Sequence, residues 1–238
     1  MLIRKKIIYC FLGFILIFFV NKTNSSIADS TLDIVKRFLS DSPTILEAGT
    51  GSGGDTVRLA KFWPGGVIHA FEPHPEMFAS LQKKSESFSN IKIYNLALSD
   101  QVGTAEFWVS SNHPVSSSLL EKDSAVSAYP WLRFEKEPIC VECATIDRWA
   151  ELNDVENIDF MWLDMEGYEL FALKASPKIL NTVKVIQTEV NFVAYRKETP
   201  LYKDFKRWLE SRGFVEVWLL KVNRIRGDAI FVRTDLIN

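Results

Sequence analysis

The sequence lacks a surplus of either charge. Its 28 lysine and arginine residues are offset by 30 aspartate and glutamate residues, which leaves a net charge of −2. Nucleic-acid-binding domains usually carry a basic field, because contacts to phosphate dominate their affinity. The composition therefore predicts no nucleic-acid partner. The chain also has no internal repeat and no low-complexity tract.

Cysteine is scarce, with three residues in 238. Cys10 lies in an apolar leader, whereas Cys140 and Cys143 form a C-x-x-C pair without the second pair typical of a zinc site. The alternating residues around this pair predict a strand, in which the two cysteines are about 10 Å apart and too distant for a disulfide. We expect them to occupy packing positions.

An apolar, uncharged run from Ile7 to Val20 follows basic residues at positions 4–6. As a helix it would extend about 21 Å, which is shorter than the roughly 30 Å of a full hydrocarbon core. It therefore predicts a single-pass N-terminal membrane anchor or a cleaved signal peptide, the alternative being a buried helix of the soluble domain. The basic flank predicts that the folded domain lies across the membrane. We place the segment at 1–28 and the domain at 29–238.

Strand-like and helix-like segments alternate along the rest of the chain. Near-continuous apolar strands between amphipathic helices predict an α/β domain, with a mostly parallel sheet covered by helices on both faces. The predicted strands cover residues 44–48, 67–72, 91–98, 104–110, 138–146, 158–164, 183–190 and two segments after residue 213, and the predicted helices begin near residues 32, 55, 74, 168 and 201.

Ligands of parallel sheets bind outside the carboxyl ends of the strands, near the point where the strand order reverses. Polar residues at these ends are therefore the candidates for a site. They are Glu47, Glu72, Asn95 with the following residues to Ala97, Asp164 and Glu189.

A glycine-rich turn, Gly49 to Gly54, follows the first predicted strand and matches the dinucleotide fingerprint G-x-G-x-x-G. Glu72, about twenty residues later, would hold ribose hydroxyls, so an NAD-dependent oxidoreductase is admissible. Glu47 argues against it, because a carboxylate beside the turn would repel an anionic pyrophosphate. The same carboxylate suits a cationic nucleoside without phosphates, and S-adenosylmethionine is such a ligand.

Six blocks in register resemble the FkbM family of S-adenosylmethionine-dependent methyltransferases. They are LEAGTGSGGDT, AFEPHPEMFASL, NLALSD, ATIDRW, DFMWLDMEGYELFALKAS and VIQTEV, between about Pro43 and Val190. The resemblance implies a class I methyltransferase Rossmann-like fold with seven strands, the last antiparallel. It also implies O-methylation of a hydroxyl on a sugar, glycan or natural product. Trp162 departs from the family, in which lysine is more usual.

The residues expected to contact S-adenosylmethionine follow from the turn, the strand ends and this resemblance. They are Glu47, Gly49, Gly51, Gly53, Asp55, Glu72, Pro73, Asn95, Ala97 and Asp164. Because this cofactor is made in the cytosol, the side of the membrane on which the domain lies is left open, as is the oligomeric state.

Methyl transfer to an alcohol requires alignment of the hydroxyl and removal of its proton. Asp164 is the first candidate for the base. Glu166 is either a second candidate or a cap of the following helix, and Glu189 could pair with Asp164 around a proton or a divalent cation. His113 is a further possible base. Two carboxylates are a weak metal signature, so no metal site is predicted.

The segment from Ser111 to Glu137 is too long for a simple connection. Its serines and aromatic residues suit a lid over a small-molecule or glycan acceptor, because aromatic faces stack on sugar rings; an ordered surface loop is the alternative. A non-catalytic ligand-binding domain of the same fold also stays open, although retention of Glu47 and Glu72 argues for an enzyme.

Overall fold

The computed structural model describes residues 31–122 and 129–237. The chain divides into two compact units, Met1–Phe38 and Leu39–Asn238. In the first unit, residues 31–36 are helical. The hydrophobic segment and its boundary after residue 28 lie outside the described residues, so the anchor or signal peptide stays a prediction. In the ranges that the structure describes, no helix has both the length and the apolar character needed to cross a bilayer.

The second unit is built on a seven-stranded sheet. The strands of the unit, numbered in chain order, are β1 (Thr44–Ala48), β2 (Val67–Phe71), β3 (Ile91–Tyr94), β4 (Ala97–Leu98), β5 (Gly103–Phe107), β6 (Ile139–Ala144), β7 (Phe160–Leu163), β8 (Val185–Asn191), β9 (Phe214–Lys221) and β10 (Arg226–Arg233). The order of the sheet is β3-β2-β1-β7-β8-β10-β9, parallel from β3 to β8. Only β10 runs against its neighbours, β8 and β9, among the described strands of this sheet. The predicted mostly parallel sheet with an antiparallel last strand is confirmed.

Helices cover both faces of this sheet, as predicted. They are α1 (Gly54–Phe62), α2 (Pro75–Ser85), α3 (Ile146–Leu152), α4 (Glu169–Lys174), α5 (Pro177–Leu180) and α6 (Tyr202–Glu210). On one face α3 to α6 bury a large apolar cluster with the strands, which includes Leu46, Trp149, Met161, Leu173, Ile186 and Phe205. On the other face Trp63, at the end of α1, meets Phe160 of β7 with ring centroids 6.1 Å apart. Each such side chain contributes about 1.5–3 kcal/mol by burial.

The prediction of one continuous strand over residues 91–98 is wrong. The chain leaves the main sheet after β3, and β4 joins a separate three-stranded sheet of order β4-β6-β5. The break coincides with Asn95, whose side-chain amide donates to the carbonyl oxygens of the Glu72–Pro73 segment at 2.8 and 3.2 Å. This side chain fastens the chain to the tip of β2 and turns it away from the edge of the main sheet.

The small sheet also contains the C-x-x-C pair. Both cysteines are free and lie in β6, where Cys143 is buried among Ala97, Phe107 and Val141, as a packing role requires. Cys140 is exposed, so the packing role predicted for it is wrong.

Candidate active site

A cavity opens at the carboxyl ends of β1, β2 and β7, and its volume is about 510 Å³ with the mouth included. Of the residues predicted to contact a cofactor, Gly49, Gly51, Glu72, Pro73, Ala97 and Asp164 line it. Apolar side chains that no motif singled out complete the wall, among them Phe107, Val115, Leu119 and Met165. A mostly apolar wall with a few polar groups at strand ends is the usual composition of a small-molecule site.

The turn between β1 and α1 depends on Gly49. Its φ is +79°, and a Cβ at this position would lie 1.7 Å from the carbonyl oxygen of Asp164. The turn therefore passes directly against the end of β7, in a conformation and a space that only glycine fits. The N–H groups of Gly49 and Thr50 also donate to the carbonyl oxygen of Phe71, at 3.1 and 3.3 Å. These contacts join the ends of β1, β2 and β7 below the cavity.

Gly49→Ala is expected to destabilise the protein by at least about 3 kcal/mol, because the methyl group overlaps a backbone atom and the left-handed conformation alone costs about 1–2 kcal/mol. Gly54→Ala is the control, since a Cβ there would meet no described atom within 4 Å and alanine favours the helix that begins at this residue. Urea unfolding measures both free energies. Equal unfolding midpoints for the two variants would contradict the close approach of the turn to β7.

Glu72 lies at the tip of β2 and joins it to the glycine turn. Its Oε2 accepts from the N–H of Gly51 at 2.7 Å, and its Oε1 accepts from the N–H of His74 at 2.8 Å. Burial raises the pKa of Glu72 to about 7, although these two N–H groups oppose the shift. Each carboxylate oxygen has a further lone pair. Glu72 can therefore accept hydrogen bonds from hydroxyl groups in the cavity while it holds the turn.

Glu47, on β1, is buried and does not line the cavity. Its Oε2 meets no hydrogen-bond partner within the described part of the chain. Burial raises its pKa to about 8; the Thr56 hydroxyl and Arg58 act against this shift, whereas Asp55 and Glu72 increase it. Glu47 therefore lies between the sheet and the start of α1 as a buried acid, and its Oε2 accepts no hydrogen bond from the described residues.

Three other predicted cofactor residues also lie outside the cavity lining. Gly53 is the N-cap of α1, and Asp55 in the first turn of α1 pairs with Arg58 at 3.1 Å. Asn95 fastens the Glu72–Pro73 segment, as described above. Gly53 and Asn95 thus support the backbone around the cavity, whereas Asp55 forms an ion pair within α1.

Acidic groups converge where β7, β8 and β10 meet. The predicted partners Asp164 and Glu189 interact electrostatically, but the cation beside Glu189 is Arg226, whose Nη1 lies 2.6 Å from Glu189 Oε2. The same nitrogen lies 3.8 Å from Glu166 Oε1. Across the described ranges, no group of three or more histidine, cysteine, aspartate or glutamate residues could hold a metal ion. A guanidinium therefore offsets the negative charge of these carboxylates.

Asp164 has the electrostatic surroundings of a potential base. Asp164 lines the cavity and is exposed to solvent there. Its pKa is raised well above the ordinary value, because the protein atoms packed around its carboxyl disfavour the charged form and because Glu166 and Glu169 lie nearby. Burial and the neighbouring Asp164 likewise raise the pKa of Glu189. Perturbed carboxyl groups in a cleft are typical of catalytic sites.

Glu166 follows in the turn after β7 and has a strained backbone, with φ at +54°. A buried glutamate in the left-handed region costs about 1–3 kcal/mol and is held there by its surroundings. Here the Tyr195 hydroxyl donates to Glu166 Oε2, and Arg196 Nη2 lies 3.5 Å from the same oxygen. The strained backbone therefore points this carboxylate towards Tyr195, Arg196 and Arg226.

The turn after β7 is held by Glu169, the first residue of α4. Its Oε1 accepts from the N–H groups of Met165 and Gly167, at 2.7 and 3.2 Å. The helix has no side-chain cap, and the acidic residue in its first turn is Glu169, so the structure does not show the capping role that the sequence also allowed for Glu166. Glu166 is left available to the site.

A second cavity lies on the other side of this turn. Its volume is about 410 Å³ with the open mouth included, and its lining includes His113, Trp131, Glu166 and Arg226. His113 Nδ1 lies 2.9 Å from the Ser116 hydroxyl, and its ring meets the edge of Trp131. The predicted lid segment therefore brings His113 and aromatic side chains towards Glu166, whereas Asp164 and Met165 line the first cavity.

Sequence reasoning missed Tyr195, Arg196 and Arg226. Arg196 is buried and donates to the carbonyl oxygens of Ser116 and Leu120, which ties the lid segment to the site. None of the three belongs to a motif quoted above. The available signal was indirect: several carboxylates at neighbouring strand ends require a cation, and Arg226 begins the strand beside β8.

The comparisons with known proteins agree with this geometry. Residues 47–216 match the family model described as the methyltransferase FkbM domain. The 2-O-methyltransferase NoeI of Sinorhizobium fredii (strain NBRC 101917 / NGR234) is 28% identical over 162 residues, which are 66% of this chain and 66% of the relative. The match thus spans slightly less than two thirds of the relative's length.

Two solved structures show a similar fold. A fibrillarin/Nop5p complex aligns with a TM-score of 0.51 and 16% identity, over 82% of this chain and 74% of that chain. The Methanococcus jannaschii fibrillarin pre-rRNA processing protein aligns with a TM-score of 0.51 and 13% identity, over 82% and 68%. At such identities the likeness concerns the fold alone. With the family model covering well over half of its residues, the chain belongs to the FkbM family of methyltransferases.

Proposed function

We propose that this protein is an S-adenosylmethionine-dependent O-methyltransferase that acts on a hydroxyl of a sugar, glycan or natural product. The observation that carries the proposal is the convergence of Glu72, the glycine turn and Asp164 on one cavity. The name of the 28% identical relative, a 2-O-methyltransferase, supports oxygen as the acceptor atom.

The residues present fit S-adenosylmethionine better than a dinucleotide. Glu72 would hold the ribose hydroxyls, and the apolar wall with Phe107 and Leu119 would enclose the base. Glu47 and Asp164 place carboxyl groups near the turn, which suits a cationic ligand and disfavours a pyrophosphate. When bound, S-adenosylmethionine would supply a methyl group activated by a sulfonium.

The chain's own groups would prepare the acceptor. Asp164 would accept the proton of the hydroxyl, and its raised pKa makes it a stronger base than an ordinary aspartate. Burial and the neighbouring Glu166 raise the pKa of Tyr195, so the phenol stays protonated and donates to Glu166. Arg226 fixes Glu166 and Glu189 from the opposite side. The acceptor would thus contact a polar surface formed by Glu166, Tyr195 and Arg226, here called the polar floor.

The second cavity is proposed to hold the sugar ring of the acceptor, with the reacting hydroxyl reaching past the Asp164–Glu166 turn to Asp164 in the first cavity. Trp131 is 53% exposed there, and Asn112 holds its backbone by donating to the Trp131 carbonyl oxygen at 2.9 Å. Tyr129 packs edge-on against Tyr195 at 5.3 Å, which adds a second aromatic surface. Exposed aromatic faces above a floor with Glu166 and Arg226 can stack on a sugar ring and bind its hydroxyls.

Trp131→Ala is expected to raise KM for the acceptor about two- to tenfold, because loss of an aromatic contact costs about 0.5–1.5 kcal/mol. Trp131→Phe keeps a ring and is expected to stay near the wild type. Leu152→Ala is the control, since Leu152 is 64% exposed outside both cavities. Steady-state kinetics with a varied acceptor measures KM. Equal acceptor KM values for Trp131→Ala and Leu152→Ala would remove the second cavity from the acceptor site.

The full-length protein tests the proposed function directly. Methyl-labelled S-adenosylmethionine is incubated with a panel of glycans, lipids and small alcohols, and transfer of label is measured. Isothermal titration with S-adenosylmethionine and with NADH distinguishes the alternatives. Binding of the first with transfer of label is expected. Binding without transfer to any acceptor would favour a non-catalytic domain, and binding of NADH alone would favour an oxidoreductase.

A further inference from the structure

One stretch of the lid segment, residues 116–120, forms a wall that the two cavities share. Ser116 lines the second cavity, whereas Ser117 and Leu119 line the first. The backbone is extended at Ser117, with φ at −82° and ψ at 152°. Successive side chains of an extended backbone point to opposite sides, so one short stretch supplies side chains to both cavities.

The turn after β7, residues 164–166, is divided between the cavities in the same way. Met165 lines the first cavity, and Glu166 lines the second. The Ser118 hydroxyl donates to the carbonyl oxygen of Glu166 at 3.2 Å. The turn and residues 116–120 are therefore joined to each other, and together they are called the common wall.

Arg196 fastens the two parts of the common wall to each other. Its side chain is buried, and it donates from Nη1 to the carbonyl oxygen of Leu120 at 3.3 Å and from Nη2 to that of Ser116. Nη2 also lies 3.5 Å from Glu166 Oε2. One guanidinium thus contacts both ends of residues 116–120 and the carboxylate of the turn. A lysine could not make these contacts together, because its ammonium group is compact and lacks the planar fork of donors.

The same guanidinium reaches the aromatic part of the second cavity. Its Cζ lies 5.1 Å from the centre of the Phe134 ring and 5.2 Å from that of Tyr195. Tyr195 lines the second cavity, as do Trp131 and Leu132, which shortly precede Phe134 in the lid segment. Contacts of this kind stabilise a buried guanidinium by about 0.5–2 kcal/mol. Arg196 therefore connects the common wall with the residues that surround the acceptor.

We propose that Arg196 is a positioning residue that couples the two cavities, so that cofactor in the first cavity orders the second cavity for the acceptor. This inference rests on the proposed function. A ligand in the first cavity contacts the common wall through Ser117, Leu119 and Met165. Arg196 carries this restraint to the lid residues of the second cavity. The acceptor then meets residues that are already ordered, which lowers the entropy lost when it binds.

The experiment is hydrogen–deuterium exchange of backbone amides in the full-length protein, with and without S-adenosylhomocysteine as the probe. In the wild type the probe is expected to slow exchange in residues 116–120 and also in residues 129–134, by about fivefold or more. Arg196→Lys is expected to bind the probe, because Arg196 does not line the first cavity. In this variant the slowing should persist in residues 116–120 and fall below about twofold in residues 129–134.

Ser118→Ala is the second variant, and it decides the test if Arg196→Lys does not fold. It removes the hydroxyl that joins the two parts of the common wall but leaves every buried charge in place, so the slowing in residues 129–134 should decrease here as well. Arg233→Lys is the matched control. Arg233 also donates to a backbone carbonyl oxygen, that of Val183 at 3.0 Å, and its Cζ lies 4.7 Å from the Phe214 ring centre, but it lines neither cavity. Its exchange pattern should match that of the wild type.

A merely structural role of Arg196 predicts a different result. Exchange would then be faster in the variants with and without the probe alike, and the slowing caused by the probe in residues 129–134 would be unchanged. That result, or a wild type in which the probe slows residues 116–120 alone, would overturn the inference and leave the proposed function standing. A wild type that does not bind S-adenosylhomocysteine in isothermal titration would overturn both.

Discussion

Replacing Glu72 with glutamine is expected to weaken binding of S-adenosylmethionine by about 100-fold or more. The carboxylate lines the cavity and is the group proposed to accept both ribose hydroxyls. A hydrogen bond to a charged group is worth about 1.5–3 kcal/mol, so two of them correspond to a factor of this size. The variant also loses one acceptor oxygen for the N–H groups of Gly51 and His74, which loosens the turn that supports the ligand.

Isothermal titration of wild-type and variant proteins measures this loss. Glu106→Gln is the control, because Glu106 is an exposed carboxylate on β5 that does not line the cavity. Thermal unfolding of each variant without ligand separates lost ligand contacts from a damaged turn. If Glu72→Gln binds as tightly as Glu106→Gln, Glu72 is not the ribose clamp, and the proposed orientation of the cofactor fails.

The sequence was most informative where hydrophobic pattern decides the structure. Strands such as β2 and β7 are apolar along nearly their whole length because helices cover both of their faces. This pattern predicted the parallel sheet and the carboxyl-end position of the cavity. The glycine turn was equally readable, because the close approach of Gly49 to the Asp164 carbonyl leaves no room for a side chain.

Prediction failed where a single side chain overrode a local pattern. Residues 91–98 read as one strand, but the Asn95 amide holds the tip of β2 and diverts the chain into the small sheet. Such a long-range hydrogen bond leaves no periodic signal in the sequence. The two possible roles of Glu166 could not be separated for a similar reason, since the contacts that hold the turn come from Glu169 three residues later.

The polar floor of the second cavity was beyond the sequence because it is assembled from distant segments. Tyr195 and Arg226 line this cavity together with His113, although they lie far from it along the chain, and Arg196 reaches the lid segment by donating to the Ser116 carbonyl oxygen. For Glu47 the sequence identified the residue but not its position. The sequence singled it out as a candidate contact of the cofactor, but its position behind the cavity lining follows only from the packing of α1.

Asp164→Asn is expected to lower kcat by about 10²–10⁴-fold, the usual contribution of a general base. Asparagine keeps the shape of the side chain that lines the cavity but cannot accept the proton of the acceptor hydroxyl. Because surrounding protein and the carboxylates Glu166 and Glu169 raise the pKa of Asp164, its basic form increases with pH beyond the range of an ordinary aspartate. The wild-type rate should therefore rise with pH, and the variant should lose this rise.

Glu189→Gln provides the comparison for Asp164→Asn. Glu189 is held by Arg226 at 2.6 Å, so it is already engaged and is expected to contribute through the arrangement of Arg226 and Glu166. Its replacement should reduce kcat less than Asp164→Asn and should retain the rise of rate with pH. Rates of label transfer at saturating cofactor and acceptor, measured across the pH range, distinguish the two variants. A larger loss and a flat pH profile for Glu189→Gln, with an ordinary profile for Asp164→Asn, would assign proton removal to Glu189 instead.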